Sequence, residues 1–400
     1  MKKIKIYLSE YAWQVTLFAA GAVLLAVLLW FRLGSLTYGN AANVEVMSKQ
    51  AAGGLGMLLD NPLNAPYTFV QWLVSLTGHH GITSLRLVST LFAGLAALLF
   101  YFVARQWHSM RVAMLATWLF ISSAWFLHVG RLGSPQILWL VSMLAIVVIL
   151  TPNKNGRQNR LALPSTLGVL GLVLYVPGMV WLVLAGVIFQ RKNIREAWQA
   201  SKNKWLRAGS FALLAGIIAP LAYGLSQSPA LIREWVGVQP GLGLTIESLK
   251  TVGHNLIGVP ESLFVYSSFD PVHWLGHLPL LTSFEIIMFL LGLYFYATRF
   301  RAARTRMIVT LAGFAWILVG VSGLNAISLI VPVVYLLAAA GIAYILHLWL
   351  KVFPNNPIAR TIGITAVMTA VLLTSVYQTR SYFVAWRYNT ETVKAFHTKL

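Results

Sequence analysis

Uncharged, apolar runs recur along almost the whole sequence, and a helix needs about 20 such residues to cross a bilayer. Two shorter runs, separated by Val176-Pro-Gly178, fill residues 161–190. Only 10% of the residues are charged, whereas a soluble domain carries about 25%. The pattern predicts an all-α polytopic membrane protein with about eleven transmembrane helices. The longer runs lie near residues 12–32, 82–104, 112–130, 135–151, 208–226, 281–298, 307–323, 326–350 and 358–378.

The basic residues predict how the chain is oriented in the membrane. They form short clusters between the apolar runs, and a cytoplasmic N-terminus places 20 of the 30 Lys and Arg on the cytoplasmic side. This bias is the positive-inside rule, so it explains the net charge of +20 without nucleic acid as a partner. We expect a multi-pass protein of the plasma membrane, with a retained first span and an extracytoplasmic C-terminus. The absence of cysteine excludes disulfides and thiolate metal sites.

Two predicted outer loops and a tail leave the membrane without forming a soluble domain. The first loop covers residues 33–81 and includes short interfacial helices, among them one near residues 44–59. The second loop covers residues 227–280, and the outer tail covers residues 378–400. Because none of these segments is long enough to bury a core of its own, residues 1–400 are expected to form one transmembrane domain.

Charged side chains near the predicted outer face are the candidate functional residues, because such groups are costly there unless used or paired. Glu45 is a candidate general base, and the alternative is a solvated position on an amphipathic helix. Arg131 lies in a very short outer loop, and its guanidinium suits a phosphate. Arg86 lies at the outer start of the second span. Both arginines could instead snorkel to lipid headgroups.

The turn that ends the first loop adds further candidates. Asp60 precedes, and Asn64 lies within, a segment from Asn61 to Pro66 whose two prolines favour a turn and could also form a rigid lip over a cavity. We therefore take both as candidate substrate-binding residues. The His79-His80 pair is a weak metal candidate, since adjacent histidines point apart on most backbones.

The order of these features resembles a known family. The sequence has one span, an outer loop with an acid, then Asn61-Pro-Leu-Asn-Ala-Pro-Tyr-Thr-Phe-Val-Gln-Trp72 and Leu85-Arg-Leu87. Gly130-Arg131, Tyr175-Val-Pro-Gly178 and a late Val331-Pro-Val-Val-Tyr335 segment follow. Together they resemble the membrane glycosyltransferases of the GT-C fold, in particular the protein-mannosyltransferase and aminoarabinose-transferase-like group.

The resemblance implies an inverting enzyme that transfers a sugar from a polyprenyl-phosphate carrier to a hydroxyl or amine of a lipid, glycan or protein acceptor. By position Glu45 matches the family's first-loop base, and Arg131 and Arg86 would bind the donor phosphate. Gln136 stands where the family usually has a second acid, and Asn40 and Asn43 precede Glu45. The sequence therefore leaves dependence on a divalent metal open, and it offers no set of residues that would bind one.

Two other classes of function remain compatible with the sequence. The missing second acid favours a degenerate, non-catalytic relative that acts as a membrane scaffold. A lipid or solute transporter would have paired broken helices, whereas only one break, at Pro177, is visible. Whichever of these functions the protein has, membrane lipids surround it.

Overall fold

The structure is a computed structural model, and it describes residues 16, 18–78, 81–151, 162–189, 191, 204–243, 245–267, 270–273 and 277–399. Almost all of the regular structure among these residues is helical. The helices are α1 (Phe18–Trp30), α2 (Asn43–Ala51), α3 (Leu55–Asp60), α4 (Ala65–Ser75), α5 (Ile82–Trp107), α6 (Met110–Ser122), α7 (Ala124–Arg131), α8 (Ile137–Leu150), α9 (Ala162–Val173), α10 (Met179–Phe189), α11 (Lys204–Gln227), α12 (Pro229–Trp235), α13 (Ile246–Phe264), α14 (Ser283–Ala297), α15 (Ala303–Ser322), α16 (Val331–Val352), α17 (Pro357–Arg380) and α18 (Thr390–Ala395).

Short non-α segments complete the described secondary structure. A 3-10 helix, Leu324–Leu329, leads into α16, and a π-helical turn, Ser381–Trp386, continues α17. Two short strands, β1 (Asn40–Ala41) and β2 (Thr398–Lys399), pair antiparallel. The pairing joins the first loop to the C-terminal tail.

The apolar runs of the sequence correspond to helices of the bundle. Among the described residues, five helices are long and apolar enough to cross a membrane, or up to six if the bent pair α6–α7 is one span. Helices that are apolar but shorter are α1, α8, α9, α10 and α14. The prediction of an all-α polytopic membrane protein is confirmed, whereas the number of eleven spans and the domain limits stay predictions.

A bend between α6 and α7 sets the position of the residues that follow. The two helices meet at 62°, and Ser123 between them has extended backbone angles. Its hydroxyl accepts a hydrogen bond from Phe126 N at 3.2 Å and so caps α7. The neighbouring Ser122 bonds to Ser375 Oγ on α17 at 2.8 Å. This pair of serines lets the chain turn inward, as Ser pairs commonly do in kinked helices.

Helices α14 and α16 pack closely at the centre of the bundle. A Cβ at Gly292 would overlap the Leu337 carbonyl, and a Cβ at Gly341 would overlap the Met288 carbonyl. Small residues at such crossings let two membrane helices approach at the backbone. Every residue of α16 from Val331 to Ile342 is buried, so this helix is the core element around which the other spans pack.

The first loop folds back onto the bundle through its proline-rich turn. Asn64 adopts a left-handed conformation, φ 59°, and its backbone N–H donates to the Tyr175 carbonyl at 2.8 Å. Tyr175 belongs to the break between α9 and α10. The Asn61–Pro66 turn predicted from the sequence therefore docks on the chain break at Pro177.

Candidate functional site

A cavity of about 510 Å³ opens at the end of the bundle where the first loop and the C-terminal tail lie. Its wall combines α7, the segment before α14, the first turn of α14, the end of α17 and the π-helical turn. Aromatic rings form part of this wall, and Tyr382 stacks on Trp386 with ring centroids 5.3 Å apart. Such rings offer flat apolar faces inside a site that also holds polar groups.

Two histidines from distant parts of the chain meet in the cavity. His128 on α7 and His273 in the segment between α13 and α14 have ring centroids 5.9 Å apart. Nε2 of His273 lies 2.9 Å from the amide nitrogen of Gln136, and its Nδ1 lies 3.7 Å from Oδ2 of Asp270. With the amide nitrogen as donor, Nε2 is the acceptor and the proton resides on Nδ1, towards Asp270.

A local turn holds Asp270 in this position. Its Oδ1 accepts from Val272 N at 3.0 Å, and its carbonyl accepts from His273 N at 2.9 Å. Asp-Pro sequences favour this type of turn, because the side chain bonds to the backbone two residues on. The His273 imidazole lowers the pKa of the Asp270 carboxyl, against the opposing effect of partial burial. The lowered pKa keeps Asp270 ionised at neutral pH, with its Oδ2 3.7 Å from Nδ1 of His273.

Several polar atoms at or beside the cavity lack partners among the described residues. Nε2 of His128, Nδ1 of His273 and Nε1 of Trp386 in the wall, and Oε1 of the adjacent Gln136, are buried without a hydrogen bond. Leaving such an atom unpaired costs about 1–3 kcal/mol, which a ligand hydroxyl or amide would recover. The unpaired atoms thus give this cavity the properties of a binding site.

A buried carboxylate lies directly behind the cavity wall. Glu285 in the first turn of α14 accepts from Thr282 N and Oγ1, both at 2.8 Å. Tyr335 OH donates to its Oε1 at 2.7 Å, and Gln378 Nε2 donates to its Oε2 at 2.9 Å. Thr282 and Gln378 also line the cavity. The network links α14, α16 and α17, so it holds the wall in one arrangement.

Glu45 lies outside this cavity, in a buried ion pair. Its side chain is 0% exposed, and Arg86 donates to both carboxylate oxygens, from Nε at 2.8 Å and from Nη2 at 2.9 Å. Ala42 N donates to Oε2 at 3.1 Å and Gly133 N to Oε1 at 2.9 Å. Because every neighbour of the carboxylate is a donor, these contacts favour a positioning role for Glu45. Its role as general base stays a prediction.

Arg86 is fully engaged by the same region. Besides Glu45, it donates to Leu33 O at 3.1 Å, to Thr37 Oγ1 at 2.9 Å and to Asn40 O at 3.2 Å. Glu45 in the first loop and Arg86 near the start of α5 are 41 residues apart in the sequence, and the fold brings them together. The ion pair therefore fastens the first loop to the bundle.

Arg131 binds backbone carbonyl groups at the C-terminal end of α1. It donates to Leu28 O at 2.6 Å and to Phe31 O at 2.5 Å, which are carbonyls of the kind left unpaired at a helix C-terminus. Its guanidinium lies 4.7 Å from the Phe383 ring centroid. The geometry gives Arg131 a capping role for α1, whereas its phosphate role stays a prediction.

The other predicted site residues are dispersed. Gln136 contacts His273 and so belongs to the cavity region. Asp60 is exposed at the end of α3, and Asn64 faces the α9–α10 break instead. His79 and His80 lie outside the described residues. In the part of the chain that the structure describes, no three His, Asp or Glu side chains group as metal ligands would.

Sequence reasoning missed the cavity residues for identifiable reasons. His128 and His273 are single histidines in unrelated segments, and Asp270 stood only as part of a turn signal, Asp270-Pro271. Arg387 was also missed. It follows Trp386 of the cavity wall, and its Nε and Nη1 have no hydrogen-bond partner among the described residues.

Known proteins of the same fold were found through structure and not through sequence. ArnT from Cupriavidus metallidurans in the apo state superposes with a TM-score of 0.57 at 13% identity, over 96% of this chain and 78% of that one. The same protein bound to undecaprenyl phosphate gives 0.53 at 12% identity, over 96% and 77%. The apo oligosaccharyltransferase from Archaeoglobus fulgidus gives 0.56 at 14% identity, over 95% and 57%.

These likenesses define the class of fold. The chain has the GT-C fold of these membrane glycosyltransferases, as the resemblance in sequence order led us to expect. It spans just over half the length of the archaeal enzyme. No protein-family model matches the sequence, and the comparison with curated proteins gives no match either.

Proposed function

We propose that this chain is a membrane glycosyltransferase that moves a sugar from a polyprenyl-phosphate carrier to an acceptor at the outer face. The supporting observation is the cavity at one end of a GT-C fold, with two histidines at its wall, unpaired polar atoms, and the Asp270 carboxylate beside His273. ArnT has this fold and was crystallised with undecaprenyl phosphate.

His273 is the base in this proposal. Its Nε2 takes the proton of the acceptor hydroxyl or amine, displacing the amide of Gln136, and Asp270 stabilises the resulting imidazolium. The acceptor atom forms a bond to the anomeric carbon while the bond from that carbon to the phosphate oxygen breaks. The electron pair leaves with the polyprenyl phosphate, so the anomeric configuration inverts. A phosphate is a good leaving group and needs no protonation, unlike the leaving alcohol in a glycosidase.

Arg387 is the proposed ligand of the donor phosphate. Its guanidinium lies 5.0 Å from the Tyr38 ring centroid and 5.4 Å from that of Tyr388, so the two rings hold it in place beside Trp386, with Nε and Nη1 buried. Its unpaired Nε and Nη1 can then donate to phosphate oxygens. Arg131 and Arg86 donate to protein atoms, so they support the loop and helix ends around the site.

The test uses the full-length protein in lipid nanodiscs with radiolabelled undecaprenyl-phosphate sugars and a panel of lipid and peptide acceptors. We expect His273→Ala to lower the transfer rate about 10²- to 10⁴-fold, the usual contribution of a general base. His254→Ala, an exposed histidine on α13, is the matched control and should leave the rate unchanged. A His273→Ala protein with the wild-type rate would exclude this base.

Arg387→Ala should raise the Michaelis constant for the donor more than that for the acceptor. Arg380→Ala, an exposed arginine at the end of α17, is the control for loss of positive charge. An unchanged donor constant in Arg387→Ala would remove this residue from phosphate binding.

A non-catalytic scaffold is the second candidate function. The buried Glu45–Arg86 pair favours it, because the carboxylate at the first-loop position is committed to a structural contact. Such a protein would bind undecaprenyl phosphate in the nanodisc assay but transfer no sugar from any donor to any acceptor. Transfer by the wild-type chain that depends on His273 would exclude the scaffold.

A further inference from the structure

A second, larger concavity, here called the basal groove, lies at the opposite end of the bundle. It has a volume of about 1390 Å³ and is bounded by α1, α5, α6, α14, α16 and α17. Along α6 and α7, the groove reaches Ile121 and the outer cavity begins at Ala124. Along α17, the groove reaches Leu372 and the cavity begins at Leu373. The two concavities therefore occupy opposite halves of the same helices and share no lining residue.

The walls of the basal groove are apolar and partly uncovered. Phe18 on α1 and both Met368 and Leu372 on α17 line it and are 45%, 52% and 53% exposed. Pockets that hold drug-sized ligands measure about 300–1,000 Å³, so the groove suits a longer and more apolar molecule. In a membrane protein the available molecule of that kind is a lipid with extended hydrocarbon chains.

The polar part of the groove is positively charged. Arg111 at the start of α6, Arg299 after α14 and His347 on α16 line it and are exposed. Arg299 stacks over the Phe295 ring at 4.0 Å from the centroid, which holds its charge at the groove. No Asp or Glu is among the described residues that line it, and the sequence has none from residue 286 to 390. The groove therefore complements an anionic headgroup.

We propose that the basal groove binds one phospholipid with an anionic headgroup. Its acyl chains lie between α1, α6 and α17, and its phosphate lies between Arg111 and Arg299. The lipid is separate from the sugar donor, because a headgroup in this groove is at the other end of the bundle from the outer cavity. It fills the space between α1 and the central helix α16, and so supports the packing of the first span.

Native mass spectrometry of the full-length protein, with phosphatidylglycerol titrated against phosphatidylcholine, tests the proposal. We expect retention of one phosphatidylglycerol in preference to phosphatidylcholine. The double variant Arg111→Ala/Arg299→Ala should bind it about thirty-fold more weakly, since each basic residue near an anionic lipid surface contributes about fivefold. Arg301→Ala, which does not line the groove, should bind as the wild type does.

A second variant keeps the result interpretable if removal of the arginines unfolds the protein. Gly21 lines the groove, and a Cβ there would meet nothing within 4 Å. Gly21→Phe should therefore fill part of the hydrocarbon space and lower phosphatidylglycerol retention, with both arginines intact. Equal retention of the two phospholipids, or retention insensitive to all of these variants, would overturn the proposal. Displacement of phosphatidylglycerol by equimolar undecaprenyl phosphate would also overturn it and assign the groove to the isoprenoid lipid.

Discussion

Replacing Glu45 by glutamine separates a positioning role from a catalytic one. The carboxylate accepts four hydrogen bonds, two from Arg86 and one each from the backbone of Ala42 and Gly133. An amide has one oxygen, so its NH2 group must face at least one N–H donor. It also leaves the buried Arg86 without a counter-charge. Breaking a buried ion pair by removing one partner costs about 3–5 kcal/mol. We therefore expect Glu45→Gln to lower the free energy of unfolding by an amount in this range.

Reversible denaturation in mixed micelles measures this loss, and the same preparations are assayed for sugar transfer. Glu247→Gln is the control, because Glu247 is exposed on α13 and its change should stay within about 0.5 kcal/mol. If Glu45 positions the first loop, stability and transfer fall together. If Glu45→Gln keeps the wild-type stability and abolishes transfer, our reasoning about its contacts is refuted and Glu45 is the base.

A double-mutant cycle with Glu45→Ala and Arg86→Ala adds a second check. Each single change leaves one charge buried without its partner, whereas the double variant leaves neither. The double variant should therefore lose less free energy than the two single variants together, with a coupling of about 0.5–3 kcal/mol. Strict additivity would mean that the pair contributes nothing as a pair.

Further variants test other contacts of the structure. Arg131→Ala should lower the unfolding free energy by about 3–6 kcal/mol, because two charge-assisted bonds to carbonyls contribute about 1.5–3 kcal/mol each, while a raised donor Michaelis constant at unchanged stability would restore its phosphate role. Gly292→Ala should destabilise by about 1–3 kcal/mol or more through overpacking against α16, whereas Gly313→Ala, where a Cβ meets nothing within 4 Å, should be neutral or stabilising by up to about 1 kcal/mol in the same measurement. Tyr335→Phe removes a donor from buried Glu285 and should cost about 1.5–3 kcal/mol in the same denaturation experiment.

The class of fold could be predicted from the sequence, because a membrane-spanning helix is recognisable as a long apolar run. The apolar runs, the break at Pro177 and the turn from Asn61 to Pro66 all correspond to structural features. A bilayer requires each spanning segment to satisfy its own backbone hydrogen bonds, so the local composition determines the element.

The site was less predictable, because the partners of a polar side chain are set by packing between distant segments. Glu45 had the correct location for a loop acid, yet Arg86 and Gly133 approach it from other parts of the chain. His128 and His273 meet only when α7 bends inward and the outer loop returns over it. Of the residues that the sequence indicated for substrate, Gln136 hydrogen-bonds to His273 of the cavity wall, and the Arg131 guanidinium lies 5.5 Å from the ring centroid of Tyr382 behind it.

The short β1–β2 pairing has a consequence for the order of assembly. Asn40 pairs with Lys399, and Phe396, just before this strand, places its ring 5.9 Å from the Arg86 guanidinium. Almost the entire chain must therefore be synthesised and inserted before the first loop obtains its final cover. Until then the Glu45–Arg86 pair is open to water on the tail side. A nascent chain halted before the last span would therefore leave this end of the bundle unfinished.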